Sequence, residues 1–543
     1  GSALRKRYFW MTMYFPKTMV LGLLIFLMGL PTPAPPQKAT EKTALISQLE
    51  SMGIPVKEEK GRLIAGVTLQ QVLKLALAWN VALESIKVGE TIAQSVLEAS
   101  RNRFNPTLTN SVDYERGISA SLFSSPSPFP LSLTGTDSLT FSSELTKSSR
   151  SGIEYGLAFT EQRIKALSRS IASSGSEPTP GTEYNWVSST ALTGSVTIPI
   201  GQDFGASLNN IPVRRSELGL TASRLDIRQR ELSLLAVTAE TYWNLMASLE
   251  NLKVKEEAVR LSRRLLEENR QRLEAGVLSP FDVQVTEAQL AKERELLLAA
   301  KSDVLRIEDL VRAILNLEQV DIAMRPLDRP KVRKPKLSQA QMLKKLFQKN
   351  TDLRQLQNRL IANSLDLKEA RNKERTDLDF NLFYTFKGYS SDVGGGVEGF
   401  SYNADDSYGA SLTWTLPLFD VSTRQKIRQR LLERKRLELD IANVKSELNV
   451  RLQSVLRQIR LSSEEVDTAR ISRRLAEEQL KNEIVRFQVG ESTSFQVSQF
   501  QQNASEAKVR EILAQVKFER NFLAMLVLTG DLFETYGIDP SHQ

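Results

Sequence analysis

Two hydrophobic periods take turns along this chain, and the whole succession runs twice. From Thr68, a good helix N-cap, apolar positions recur at helical spacing through Leu69, Val72, Leu73, Leu83, Ile86, Ile92 and Val96 to about Phe104, where Asn105-Pro106 ends the run. The period then falls to two, and segments rich in Thr, Ser, Tyr and Val continue to about Gly201. Helical spacing returns near Ile211 and holds to Ala275. That is ~65 residues, or roughly 100 Å of helix. A shorter helical run follows from Phe281 to about Leu317. The second pass repeats the order: a helix after Ser338 with Met342, Leu343, Leu346, Phe347 and Leu353, alternating strands, a long helix from about Ser422 to Val489, and a return helix from Phe495 to Leu528.

The two passes are in register. Arg272-Leu273-Glu274-Ala275-Gly276-Val277-Leu278-Ser279-Pro280-Phe281-Asp282-Val283 is answered 214 residues later by Arg486-Phe487-Gln488-Val489-Gly490-Glu491-Ser492-Thr493-Ser494-Phe495-Gln496-Val497. Each copy has a Gly where a long helix ends and a Ser or Thr where the next begins, which predicts a reversal at the tip of a helical hairpin. The long helices share a seven-residue seam, Leu245, Leu252, Val259, Leu266 and Leu273 against Ile459, Val466, Arg473, Leu480 and Phe487, broken only at Arg473. Such a seam predicts coiled-coil packing. Each shorter helix is roughly 55–60 Å, so two stacked end to end match one long helix and make a pillar. Asn80 and Asn350 match at an offset of 270, larger than 214, so the first half carries an insertion.

The insertion lies among the strands. In the second half Leu378, Phe380, Leu382, Tyr384 and Phe386 alternate with Asp379, Asn381, Phe383 and Thr385, and Tyr408, Ala410, Leu412, Trp414, Leu416 and Leu418 alternate with small or polar residues. One apolar face and one polar face suit either a sandwich core or a lipid-facing barrel wall. With two strands per half, a barrel needs several chains. In the first half the barrel strands are expected at about 107–118 and 186–200, and an extra strand-like pair, about 139–147 and 152–160, is expected to extend beyond the membrane. Gly394-Gly395-Gly396 lacks the Lys-Ser/Thr of a phosphate loop and reads as an exposed loop.

Composition removes most chemistry. The 543 residues include no Cys and one His, His542, which excludes thiol nucleophiles, disulfides, and metal sites or general bases built on Cys or His. No cofactor or metal is expected. Asp113, Glu115 and Glu154 could be offered as catalytic carboxylates, but period-two placement makes them solvent or lumen residues. Residues 1–34 have the layout of an export signal, basic residues before an apolar run from Met19 to Leu30, too short to span a bilayer. Removing that segment, with its four basic and no acidic residues, lowers the formal charge from +8 to +4, which gives nucleic-acid binding little support.

The duplicated tips, together with Tyr242-Trp243-Asn244-Leu245 in the first long helix, resemble the TolC family of outer-membrane efflux proteins over about residues 67–530. The resemblance implies a mainly α fold with a β-barrel section. It divides the chain into a signal peptide (1–34), an N-terminal extension (35–66), a first repeat (67–325, strands about 105–201, tip about 272–284), a second repeat (326–530, strands about 376–420, tip about 486–498) and a tail (531–543). It implies a homotrimer whose four strands per chain make a twelve-stranded barrel in outer-membrane lipid, continued by a periplasmic α-helical barrel. It also implies passive export in a tripartite efflux or type I secretion system, with the tips docked to a periplasmic adaptor protein and, through it, an inner-membrane pump or transporter. The matching contact positions are Leu273, Gly276, Val277, Ser279, Phe281 and Val283, and Phe487, Gly490, Ser492, Thr493, Phe495 and Val497. Asp282, Gln496 and Gln499 fall at the periplasmic entrance, where family members often carry acids beyond the second tip; amides there predict a gate held by hydrogen bonding and packing. An exported coiled-coil scaffold or adaptor without a pore is the alternative.

Overall fold

The structure is a computed structural model that describes residues 46–59, 62–122, 131–171, 182–183, 185–333, 338–390 and 404–539. The export-signal reading of residues 1–34 and the triple-glycine loop lie outside them.

Two long helices form the frame, α3 (Ile211–Glu274, 64 residues) and α7 (Val421–Gln488, 68 residues), each about 100 Å at 1.5 Å per residue. Toward the tips they pair with α4 (Pro280–Ile314) and α8 (Ser494–Thr529). Toward the sheet their neighbours are α2 (Val81–Arg101) and α6 (Thr351–Asn372). The expected end-to-end stacking is present: the Asn80 side-chain amide donates to the carbonyl of Ile314, the last residue of α4, at 3.1 Å. On the other side Lys349 reaches Asp531, just past the end of α8, at 3.1 Å.

The sequence reads one helix from Thr68 to Phe104, and the structure divides it. Helix α1 (Leu69–Trp79) stops at Asn80, whose side chain accepts from Leu83 N at 3.0 Å and starts α2. Asn350 does the same between α5 (Gln339–Lys349) and α6, accepting from Leu353 N at 2.9 Å. The matched asparagines are therefore caps at two equivalent breaks. An extended residue there lets the chain change direction without orphaning the first amides of the second helix.

The main hydrophobic core girdles the pillar at this level. Strands β1 (Val56–Glu59), β2 (Arg62–Val67) and β7 (Ile322–Pro326) form a small sheet, with β2 antiparallel to β1 and parallel to β7. Leu63, Ala65 and Val67 alternate inward with Ile322 and Met324 onto Leu73, Leu235, Tyr242 and Leu245. The extension before residue 67, which the sequence leaves without a role, thus completes the core. Tyr242 is 2% exposed, and its hydroxyl donates to the Val67 carbonyl at 3.1 Å and meets Asp328 at 3.0 Å. The Tyr-Trp-Asn-Leu run serves this packing.

The second sheet corrects the sequence reading. It is an antiparallel meander of six long strands: β3 (Thr107–Leu122), β4 (Leu131–Ser148), β5 (Glu154–Ile171), β6 (Val187–Pro199), β8 (Asp377–Ser390) and β9 (Ala404–Thr415), with a two-residue strand (Thr182–Glu183) beside β5. The pair expected to project beyond the membrane, β4 and β5, lies between β3 and β6 and is hydrogen-bonded along its length. The reason is the site of its turn. Ser151 accepts from Gly205 N at 2.8 Å, and an added Cβ on Gly152 would sit 2.5 Å from the Asp203 carbonyl oxygen, so this turn is pinned where the sheet meets the helices. The sheet has six long strands, the four expected as barrel strands and the extra pair between them.

Candidate functional site

The six strands share one pair of faces. Leu108, Leu145, Leu157, Gly194, Tyr384 and Tyr408 stand side by side across the sheet. Above and below them in register lie Val112, Tyr114, Leu139 and Phe141, then Leu192, Val196, Phe380, Leu382, Leu412 and Trp414. This apolar face is bare: Val112 is 68% exposed, Tyr408 81% and Trp414 65%. The opposite face carries Thr109, Ser111, Asp113, Ser142, Thr160, Thr193, Asn381 and Ser411, with Ser111 and Ser142 bonded at 2.7 Å and Thr193 and Thr385 at 3.0 Å. Asp113, Glu115 and Glu154 lie on this polar face, and no cluster of acidic or His side chains able to hold a metal occurs among the described residues. An uncovered apolar face backed by hydroxyls is what lipid outside and water inside require of a strand wall. The outer strands β3 and β9 each have one partner, so the sheet is open on both sides.

Where sheet becomes pillar, both halves use a non-glycine residue with positive φ, Asp203 (φ 58°) and Phe419 (φ 60°), shortly after Pro199 and Pro417. Asp203 is held on all sides. Asn372 donates to its carboxylate at 2.6 Å and Lys373 at 2.9 Å, and Asn209 donates to its carbonyl at 2.8 Å. Partial burial works against the charged carboxylate, but the bonds from Lys373, Gln202 and Asn372 outweigh it and hold Asp203 below the usual carboxylate range. Gly201 is required here, since a Cβ would sit 2.2 Å from the Thr376 carbonyl oxygen. Asp420, the N-cap of α7, is likewise held low by hydrogen bonds from Thr423.

At the far end the two tips have the reversal read from sequence. Gly276 (φ 73°) and Gly490 (φ 82°) occupy the left-handed region, and Val277 N and Glu491 N return to the carbonyls of Arg272 and Arg486, each at 2.8 Å. Ser279 and Thr493 are N-caps of full capping boxes, closed by Asp282 and Gln496. Two residues placed at the entrance are thus engaged in capping: Asp282 accepts from Ser279 Oγ at 2.7 Å, and Gln496 from Thr493 N at 3.4 Å. Gln499 is exposed and donates to Asn503 at 3.4 Å.

The twelve candidate contact residues divide by burial. Phe487 (3% exposed) and Val497 pack on Leu265, with the Arg272 guanidinium 4.2 Å from the Phe487 ring centroid. Val283 packs with Val259, Leu266 and Leu290, and Leu273 leans on that cluster. Val277 (71% exposed), Phe281 and Phe495 point to solvent, and Gly276, Ser279, Gly490 and Thr493 are also exposed, with Ser492 half-buried. Sequence reasoning missed Glu483. It is buried, pairs with Arg486 at 3.3 Å and accepts from Ser492 Oγ, so the second tip does hold a carboxylate, on the helix before the turn.

Residues 72–317 match the sequence profile of the family described as outer membrane efflux protein. That match, on a duplicated sheet-and-pillar fold, identifies residues 72–317 as a region of the outer membrane efflux protein family. The fold recurs in solved structures. CusC, whose structures concern folding and transmembrane channel formation, aligns with a TM-score of 0.61 at 12% identity, covering 85% of this chain and 92% of that one. The outer-membrane channel OprN gives 0.61 at 14%, covering 85% and 89%. The Campylobacter jejuni CmeC outer membrane channel gives 0.59 at 16%, covering 88% and 87%. No curated protein matches the chain. The family is one of channels, not of enzymes, and its place is the outer membrane. No described helix is long and apolar enough to cross a membrane.

Proposed function

We propose that this protein is the outer-membrane channel of a tripartite efflux or type I secretion system, a homotrimer that passes cargo outward without energy of its own. The observation that carries this reading is the sheet: a bare apolar face, a hydroxyl-lined face behind it, and two edges that lipid cannot satisfy, so copies of the chain must pair edge to edge. The helices below continue the wall into the periplasm, four abreast per chain, as α3 and α7 with either α2 and α6 or α4 and α8. The alternative, a scaffold without a pore, gives the apolar face nothing to cover it.

At the tips Val277, Phe281 and Phe495 are the residues offered to a periplasmic adaptor, through which an inner-membrane pump or transporter is reached. Leu273, Val283, Phe487 and Val497 hold the hairpins in shape. Neutral hydrogen bonds occur both within and between the hairpins: Asn269 donates to Thr286 at 2.7 Å across the first hairpin, and Gln501 of the second donates to the Ala258 carbonyl of the first at 2.8 Å. A resting gate held by hydrogen bonds and packing is consistent with these contacts and with the amides Gln496 and Gln499.

Extraction from envelopes tests the reading. A detergent-requiring trimer that forms channels in planar bilayers, and that carries an adaptor with it after cross-linking, is the expected result; a detergent-independent monomer without conductance would overturn it. Strong block of those channels by multivalent cations from the periplasmic side would instead refute the uncharged gate.

A further inference from the structure

The inserted hairpin is in step with the membrane-facing band. Taking register rows across the sheet, the apolar stretch runs from Leu108 to Tyr114 on β3 and from Leu145 to Leu139 on β4. On β8 and β9, at the other edge, it runs from Leu378 to Phe386 and from Trp414 to Tyr408. From β3 to β9 its centre slips by three rows, or six residues. At ~3.3 Å per residue and ~4.8 Å per strand, that is about 20 Å of slip over about 24 Å of width, a tilt of roughly 40°. Strands of a membrane barrel tilt by this amount, and β4 and β5 keep the slip. The charged residues keep it too: Arg116 pairs with Asp137 at 3.3 Å and Arg163 with Glu161 at 2.6 Å, just past the apolar stretch on β3, β4 and β5.

We infer that the β4–β5 hairpin crosses the lipid with the other four strands, and that three copies of this chain close an eighteen-stranded barrel through pairing of the β3 edge of one with the β9 edge of the next. The trimer is taken from the function proposed above; the strand count and width are new. Six strands at this tilt would close at about 12 Å, too tight for side chains inside, whereas eighteen close at about 36 Å and twelve would close at about 24 Å. Twelve helices, four from each chain, at 8–10 Å spacing form a ring of about 31–38 Å, so the eighteen-stranded barrel continues the helical tunnel without a neck. The six-strand count also makes β3 and β9 run in opposite directions, so the junction between copies is antiparallel like the pairs inside each copy. The band centres bring Ser111 on β3 close to Ser411 on β9 of the next copy, both on the polar face.

The absence of native cysteine makes the test direct. In the full trimer reconstituted into liposomes, Leu145→Cys and Leu157→Cys are expected to react with a charged thiol reagent at least ten-fold more slowly than Ser142→Cys and Thr160→Cys on the facing side. Equal, fast labelling of all four would place the hairpin outside the lipid and overturn the inference while leaving the channel standing. Ser111→Cys with Ser411→Cys is expected to give a covalent trimer on oxidation, and end-on images should show a barrel about 36 Å across. A trimer with a barrel near 24 Å would refute the eighteen strands alone, and a monomer with no cross-link would bring down the trimer as well.

Discussion

Phe487 and Phe495 sit eight positions apart at the second tip, and the structure buries the first and exposes the second. Phe487 is 3% exposed, wedged against Leu265 and Val497 under the Arg272 guanidinium, whereas Phe495 is 62% exposed. Truncating a buried Phe to Ala costs about 3–5 kcal/mol. The cluster here is small and close to solvent, which puts the transfer and cavity cost near the lower end, and loss of the cation–π contact adds about 0.5–1 kcal/mol. Phe487→Ala is therefore expected to lower the local opening free energy of the tip by about 3–4 kcal/mol. At 1.4 kcal/mol per decade that is roughly 100- to 1,000-fold faster amide exchange across residues 480–500. Phe495→Ala, a surface change, should move the same amides by less than about 0.5 kcal/mol. Its effect should appear in binding, about ten-fold weaker adaptor capture if the ring is an anchor of the contact. Hydrogen exchange by mass spectrometry and adaptor binding to the detergent-solubilised channel read the two quantities separately. Unchanged exchange in Phe487→Ala, or faster exchange in Phe495→Ala alone, would refute the division of the tip into a packed row and an offered row.

Further outcomes follow from other buried contacts. Tyr242→Phe removes the hydroxyl that serves the Val67 carbonyl and Asp328, and should destabilise the small sheet by about 1–3 kcal/mol, seen as faster exchange in residues 62–67 and 322–326; unaltered exchange would show those groups to be otherwise satisfied. Arg473, which interrupts the heptad seam, binds the buried Glu511, so Arg473→Ala and Glu511→Gln should show a coupling of about 1–3 kcal/mol in a double-mutant cycle, and strictly additive effects would deny the pair its role. The Asp203 carboxyl is held below its ordinary value, so its contribution is complete above about pH 4 and is lost as pH falls through the lower folded value. Acid titration of exchange at residues 200–210 should show loosening below about pH 4 that Asp203→Asn abolishes, and an identical acid response in that variant would assign the transition elsewhere.

Much of the fold was legible because it is written in periodicity. Gly276 and Gly490 read correctly as left-handed turns since no other residue relieves that conformation as cheaply, and the heptad seam named the helix contacts that bury Leu245, Val259, Leu266, Ile459, Val466 and Phe487. Helix breaks at Asn80 and Asn350 were hidden because Asn is tolerated inside helical patterns and the apolar stripe continues past it. The role of residues 56–67 depends on a partner strand more than 250 residues away, which no local pattern can announce. At the tips, chemistry was visible but burial was not: Phe487 and Phe495 are the same residue type in neighbouring turns, and only the tertiary packing tells an anchor of the hairpin from a surface ring. Glu483 escaped notice for a related reason. Its partner, Ser492, lies across the turn, and an acid in a charged helix carries no mark of having a neighbour.

The insertion misled for a more general reason, and it shows what this architecture can vary. The two long helices are close in length, 64 and 68 residues, because each must span the same pillar and deliver a tip to the same end. A helix lengthened in one half alone would lift its tip out of line with the other. Strands face no such constraint. Adding one would reverse the direction of everything after it and set like-directed strands against each other where copies meet, but adding two restores the direction. A hairpin is thus the smallest unit that can be spliced into the sheet while the antiparallel junction, the amphipathic face and the approach to α3 are all kept. Its cost is a wider barrel, which a fixed ring of helices admits only if the ring is already broad enough, and here the four helices abreast in each chain supply about that breadth.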